Sequence, residues 1–284
     1  MGGVGEHMVR RVIAGVVVLV AVVSAPLSAE LRFTSKITAR AVTGAPAPAG
    51  LMAGMGDVVG QMINEQFGGP DGVETITTVH TDGRMRVDYT KAFSGLPAGS
   101  VVLTRADGTS VGYDPAAKTW WKMPDPSDDP EVAAMMAQMT PEISSKRTGE
   151  FATVTGLRAE RVTVRMRIPI PLPEGVDLSQ VPPELLAMIP RELVIEGDNW
   201  VAAEFAKYMK GGMAALSSGP MAQMGFDKLA ESLDGFPVRS VMRTSVPAAI
   251  EIETLVTRVA EETVPATVFD LPAGLREIPF PGGL

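Results

Sequence analysis

Arg161 to Ile168 constrains the fold more tightly than any other stretch, because Val162, Val164, Met166 and Ile168 alternate without exception with Arg161, Thr163, Arg165 and Arg167. A period of two belongs to a β-strand with one face buried and the other in water. Upstream, Phe151 and Val154 approach Thr155-Gly156-Leu157, where glycine can take the positive φ of a tight reversal. The two runs therefore read as an antiparallel hairpin, and the chain as a sheet protein with one wet side.

The rest of the chain must supply partners for that hairpin. With 284 residues, 45% hydrophobic and 20% charged, it is long enough to bury a sizeable core and too apolar for wholesale disorder. Its formal charge of −8 repels phosphate backbones, which argues against nucleic acid as a partner. Cysteine is absent, excluding disulfides, thiol catalysis, thiolate metal sites and a lipid-modified N-terminal Cys. Stability must come from packing.

Residues 1–29 read as a secretory signal. Arg10-Arg11 precede the apolar run Val12 to Val23, and Ser24-Ala-Pro-Leu-Ser-Ala29 supplies the small residues of a cleavage site. The apolar run is short for a membrane span, so cleavage near Ala29 and a periplasmic or secreted mature protein are expected. An uncleaved anchor is the alternative.

Residues 30–284 read as a single β-rich domain. Leu31 to Val42 alternates as a first strand, with Leu31, Phe33, Ser35, Ile37 and Ala39 on one side. Leu51 to Phe67 spaces Met52, Met55, Val59, Met62 and Ile63 as a helix that Gly68-Gly69-Pro70 stops. Asp82-Gly83 joins two strands, Val73 to Thr81 and Arg84 to Thr90. A meander follows through Val101 to Arg105, Thr109 to Tyr113 and Thr119 to Met123. Glu131 to Met139 is predicted helical, with Val132, Met135, Met136 and Met139 on one face, and the proline-rich stretch 169–190 is read as an insertion over one sheet edge. Leu193 to Ile195 is a short strand, and Trp200 to Leu216 a helix carrying Val201, Phe205, Tyr208 and Met209 on one side. Val238 to Ser245, Ile250 to Val259 and Val268 to Leu271 close the chain as strands.

A family resemblance rests on short motifs in order. They are Asp82-Gly-Arg-Met-Arg-Val-Asp88, Tyr113-Asp-Pro-Ala-Ala-Lys-Thr-Trp-Trp-Lys-Met123, Thr148-Gly-Glu with Thr155-Gly-Leu-Arg-Ala159, Asn199-Trp-Val201, Gly235-Phe-Pro-Val238 and Phe269-Asp-Leu-Pro-Ala-Gly274. In this order the chain resembles the bacterial outer-membrane lipoprotein carrier proteins, and in particular an uncharacterised exported family related to them. The resemblance implies an α+β fold: an antiparallel sheet curled into a half-open barrel, with helices packed over its concave side around an apolar cavity. It also implies a carrier for a lipid, acyl chain or other hydrophobic ligand.

No catalytic constellation stands against that expectation. His80 is the one histidine outside the signal and reads as a polar residue beside a turn. There is no nucleophile elbow, P-loop or paired-histidine motif, and Asp125, Asp128, Asp129 and Glu131 lack the spacing of a calcium loop. No enzyme activity, metal or cofactor is expected. The 17 methionines concentrate in or near predicted helices, where flexible polarizable side chains either line an adaptable apolar site or fill core gaps. On the first reading Met52, Met55, Met62, Trp120, Met136, Phe205 and Met209 form the ligand-binding set. Adjacent strand residues face opposite ways, so one of Trp120 and Trp121 packs inward and the other lies on the outer face or rim. The Arg161/Arg165/Arg167 row reads as a solvated outer face, or as a docking patch for an acidic partner. The functional expectation is a monomeric exported carrier, and the alternative a non-catalytic envelope protein-protein interaction module with a filled core.

Overall fold

A computed structural model describes residues 31–42, 67, 69, 71–80, 82–125, 128–171, 191–206, 233–244 and 249–282. They form one 12-stranded sheet in the order β12-β6-β5-β4-β3-β2-β1-β11-β10-β9-β8-β7. Two meanders meet in it. The first is β1 (Leu31–Ala41), β2 (Val73–Val79), β3 (Met85–Tyr89), β4 (Val101–Thr104), β5 (Ser110–Asp114) and β6 (Thr119–Lys122). The second is β7 (Glu142–Val154), β8 (Leu157–Pro169), β9 (Glu192–Ala202), β10 (Phe236–Thr244) and β11 (Ile250–Glu261). The long β1–β11 ladder joins them, from Leu31 opposite Glu261 to Ala41 opposite Ile250. The short β12 (Arg276–Glu277) adds a parallel strand beside β6, which makes the sheet mixed.

The β7–β8 hairpin forms where the alternation places it. Val162, Val164, Met166 and Ile168 are all buried, while Arg165 and Arg167 are exposed. Thr155 and Gly156 both take positive φ, 50° and 80°, as a two-residue reversal with the twist of the strands requires. Thr155 accepts this conformation while its hydroxyl donates to the Val256 carbonyl on β11, tying the hairpin tip to the other end of the meander. At the free edge, β7 carries a register shift between Arg147 and Phe151 together with Lys146, Arg147 and Glu150, features that discourage edge-to-edge pairing.

One face of the sheet is buried by a large apolar cluster that takes Val73 from β2, Ile37 and Ala39 from β1, Val162, Val164, Met166 and Ile168 from β8, Leu193, Ile195 and Val201 from β9, Met242 from β10, and Ile250 and Ile252 from β11. A second cluster gathers Leu31, Phe33, Val79, Phe236, Val238 and Val256. In it Phe236 is met edge-on by Phe33 at 5.6 Å and by Phe205 at 5.5 Å. Each such side chain contributes about 1.5 to 3 kcal/mol on burial, so these clusters account for the packing that a cysteine-free chain needs.

The expected helices over a concave sheet are not what the structure shows. Among the described residues there is one α-helix, α1 (Pro130–Gln138), beside an open sheet whose edges, β12 and β7, do not meet, so the α+β half-open barrel with a helical layer is corrected to a mixed, open, nearly all-β architecture. The helix predicted over Trp200 to Leu216 is overturned at its start, because β9 continues to Ala202 and a 3-10 turn, Ala203–Phe205, follows. Helical spacing from Trp200 competed there with the period-two row Leu193, Ile195, Gly197, Asn199 and Val201, in which Gly197 and Asn199 do not register as apolar. The strand predicted at Val268 to Leu271 is a 3-10 turn, Ala266–Phe269. Phe67, which ends the helix predicted from Leu51, is buried and edge-on to Phe93 at 5.8 Å; the rest of that helix, and the proline-rich stretch from 172 onward, lie outside the described residues.

Candidate functional site

The candidate site is the buried face of the sheet between β1 and β8, built by strand alternation. On β1, Phe33, Ser35 and Ile37 point to this face; on β11, Ile252, Thr254 and Val256 do, with Thr254 opposite Ile37 and Val256 opposite Ser35. Thr254 faces Ser240 across the β10–β11 ladder, and Ser240 faces Asn199 on β9. Asn199 in turn lies opposite Val162 on β8. Met242, next along β10, fills the space over Gly197, where a Cβ would collide with its sulfur. The face is thus two apolar clusters with a row of small polar side chains between them.

The predicted ligand-binding set is only partly brought together. Met52, Met55, Met62 and Met209 lie outside the described residues. Met136 belongs to α1, whose neighbouring Met135 and Met139 pack on the large apolar cluster. Phe205 joins the second cluster through Phe236. Trp120 is placed elsewhere: Trp121 is fully buried with Leu96 and Val102, while Trp120 is half-buried on the opposite face with Val101, Leu103 and Leu271. It shares no cluster with Phe205 or α1. Sequence reasoning missed Asn199, Ser240 and Thr254; the signal that finds them is the period of two carried through small and polar residues.

Tyr89, stacked on Phe93 with ring centroids 5.3 Å apart, borders the large cluster, and its apolar surroundings push the phenol up to about 12. It is neutral at physiological pH.

The outer face carries charge that is already matched. Arg161 bonds Asp198 at 2.6 Å and Glu150 at 3.0 Å, Arg243 bonds Asp198 at 3.0 Å and Glu251 at 2.7 Å, and Arg40 Nε bonds Glu251 at 2.8 Å. Arg165 and Arg167 face Glu196 and Glu192 at 3.7 and 3.8 Å. The arginine row is therefore one side of an ion-pair ladder across β8, β9, β10, β11 and β1, and presents no unmatched positive stripe. Burial raises the pKa values of Asp198 and Glu251, but hydrogen bonds from their arginines outweigh it and hold both carboxyls below the ordinary range. A lowered folded-state pKa contributes stability above the unfolded value, and that stability is lost as pH falls through the folded one. Asp198→Asn is accordingly expected to lower the urea midpoint at pH 7 by an amount worth about 1 kcal/mol or less, and the gap to wild type should narrow as pH falls below the ordinary Asp value of about 3.9. A gap that persists at low pH would show that the substitution acts through packing.

His80 caps the β2–β3 turn, with Nδ1 2.9 Å from Asp82, which also receives Arg84 Nε at 2.8 Å. Among the described residues no group of three or more His, Cys, Asp or Glu side chains is placed to hold a metal.

No family model and no curated protein sequence matches the chain. Among solved structures it is similar to a LolA superfamily protein from Nitrosomonas europaea, at 8% identity, over 86% of this chain and 91% of that one, with a TM-score of 0.33.

Proposed function

We propose that this chain is an exported binding or carrier protein for a lipid, acyl chain or other hydrophobic ligand of the cell envelope, acting as a monomer after removal of residues 1–29. The observation that carries the reading is the apolar face itself. Six neighbouring strands, β2, β1, β11, β10, β9 and β8, contribute to one cluster on one side of the sheet, while the other side of the five from β1 to β8 carries the ion-pair ladder. A chain that binds an apolar molecule needs such a surface sequestered from water, and methionines such as Met166 and Met242 make it adaptable. No helix among the described residues is long and apolar enough to cross a membrane.

Native mass spectrometry of the protein purified from its own host tests the reading: an adduct of lipid mass, displaced by a fluorescent fatty-acid probe, is expected. A protein that carries no adduct and takes up no probe has a filled core, and the interaction-module alternative then holds. Export is checked by N-terminal sequencing of the envelope or medium fraction, where a start near Glu30 is expected and a start at Met1 or Met8 would refute cleavage.

A further inference from the structure

The row of small polar side chains across the buried face is incompletely satisfied. From β2 to β9 it runs Thr75, Ser35, Thr254, Ser240 and Asn199, each buried and each adjacent in the strand ladders to the next or to its diagonal neighbour. Three strand spacings of about 4.8 Å separate Ser35 from Asn199, so this part of the row is about 14 Å long. Ser35, Thr254 and Asn199 are only 3%, 3% and 1% exposed, and Ser35 Oγ, Thr254 Oγ1 and Asn199 Oδ1 have no hydrogen-bond partner among the described residues. Buried polar atoms are paired in the great majority of cases, and each one left unpaired costs about 1 to 3 kcal/mol. Three in one row, on the face of one sheet, point to a partner that the described residues do not supply.

The donor and acceptor inventory says what that partner is. Asn199 Oδ1 can only accept, so the missing group must bring an O–H or N–H; an ester or ether oxygen cannot satisfy it. The Ser35 and Thr254 hydroxyls each donate and accept, and so tolerate either. Apolar side chains flank the row, Ile37, Ile252 and Met242 on one side and Phe33, Val256 and Val238 on the other, and none of them is charged. A carboxylate or phosphate placed there would lose its hydration with no cation among these flanking residues to compensate. Resting on the apolar-ligand reading above, we propose that the row is the polar subsite of that ligand, and that the ligand is an uncharged amphiphile carrying a hydroxyl or amide N–H.

The test is calorimetric titration of the mature protein with dodecanol, dodecanamide, methyl dodecanoate and dodecanoate, which share a chain length and differ in the head group. Dodecanol and dodecanamide are expected to bind about tenfold or more tightly than the ester, which has no donor, and than the anion, because a buried polar group left unpaired discriminates strongly. Asn199→Leu with Thr254→Val should erase this preference while retaining the ester's affinity, and Ser35→Ala, a smaller change in case the double variant misfolds, should reduce it several-fold. Each change removes an unpaired buried group, so thermal stability of the unliganded variants should hold or rise. Equal affinity of the wild type for alcohol and ester, as expected if buried water completes the row, overturns the proposal and leaves the apolar-ligand reading standing. Unchanged selectivity in both variants overturns it too. Failure of all four compounds to bind overturns both.

Discussion

Val164→Asp is expected to lower folding stability by several kcal/mol, on the order of 4, whereas Arg165→Asp, one residue along, should cost about 1 kcal/mol or less. Val164 is 3% exposed within the large apolar cluster of the buried face, and a carboxylate there joins Val162, Met166 and Ile195 in a cluster whose described members carry no cation. Arg165 stands in water with its side chain 53% exposed, 3.7 Å from Glu196, whose side chain is 61% exposed, so reversing its charge removes a weak pair and adds a screened repulsion. Urea unfolding midpoints of the two variants check this directly. Equal midpoints would mean that the two faces of β8 are assigned the wrong way round, and the candidate site with them.

The second large effect divides the adjacent tryptophans. Trp121→Ala should cost about 3 to 5 kcal/mol, because the ring is fully buried and its neighbours on β4 and in the C-terminal segment, Val102, Ile278 and Phe280, cannot close over the space. Trp120→Ala, on the half-exposed face, should cost less than half as much. Gly112 lies opposite Trp121 on β5, where a Cβ would fall against the indole, so Gly112→Val is expected to destabilise by about 1 to 3 kcal/mol through overpacking. Denaturant titration followed by tryptophan emission separates these variants, since loss of Trp121 removes the most buried fluorophore. Similar midpoints for the two Trp→Ala variants would place both rings in comparable packing and refute the facing described for β6.

How far the chain was legible follows from what its residues reveal locally. Strands whose buried positions are filled with apolar side chains were found where they lie: β1, the β2–β3 and β4–β5 hairpins, β6, β8, β10 and β11; of the exposed β7 only the end from Phe151, next to the glycine-marked reversal at Thr155-Gly156, was read from sequence. The face of each residue followed at once, because the side-chain period of a strand is two, and this is why Ser35 was placed on the inward row from sequence alone. It also separated Trp120 from Trp121, without saying which of them was inside. Helix α1 was found from its methionine spacing.

What the sequence by itself determined, then, is the set of strands whose own pattern is apolar on alternate residues, together with the two-sidedness of the sheet. Only the tertiary structure decided the rest. β9 reaches Ala202 because Gly197 leaves room for Met242 and Asn199 lies between β8 and β10, relations between strands distant in sequence that no local period records. The joining of the two meanders through β1 and β11 is likewise a long-range pairing, with the choice of partner made by which apolar faces can be buried together. The polar row exists for the same reason: Ser35, Thr254 and Asn199 are unremarkable one at a time, and become a candidate subsite only when the register of four strands sets them side by side with no partners among the described residues.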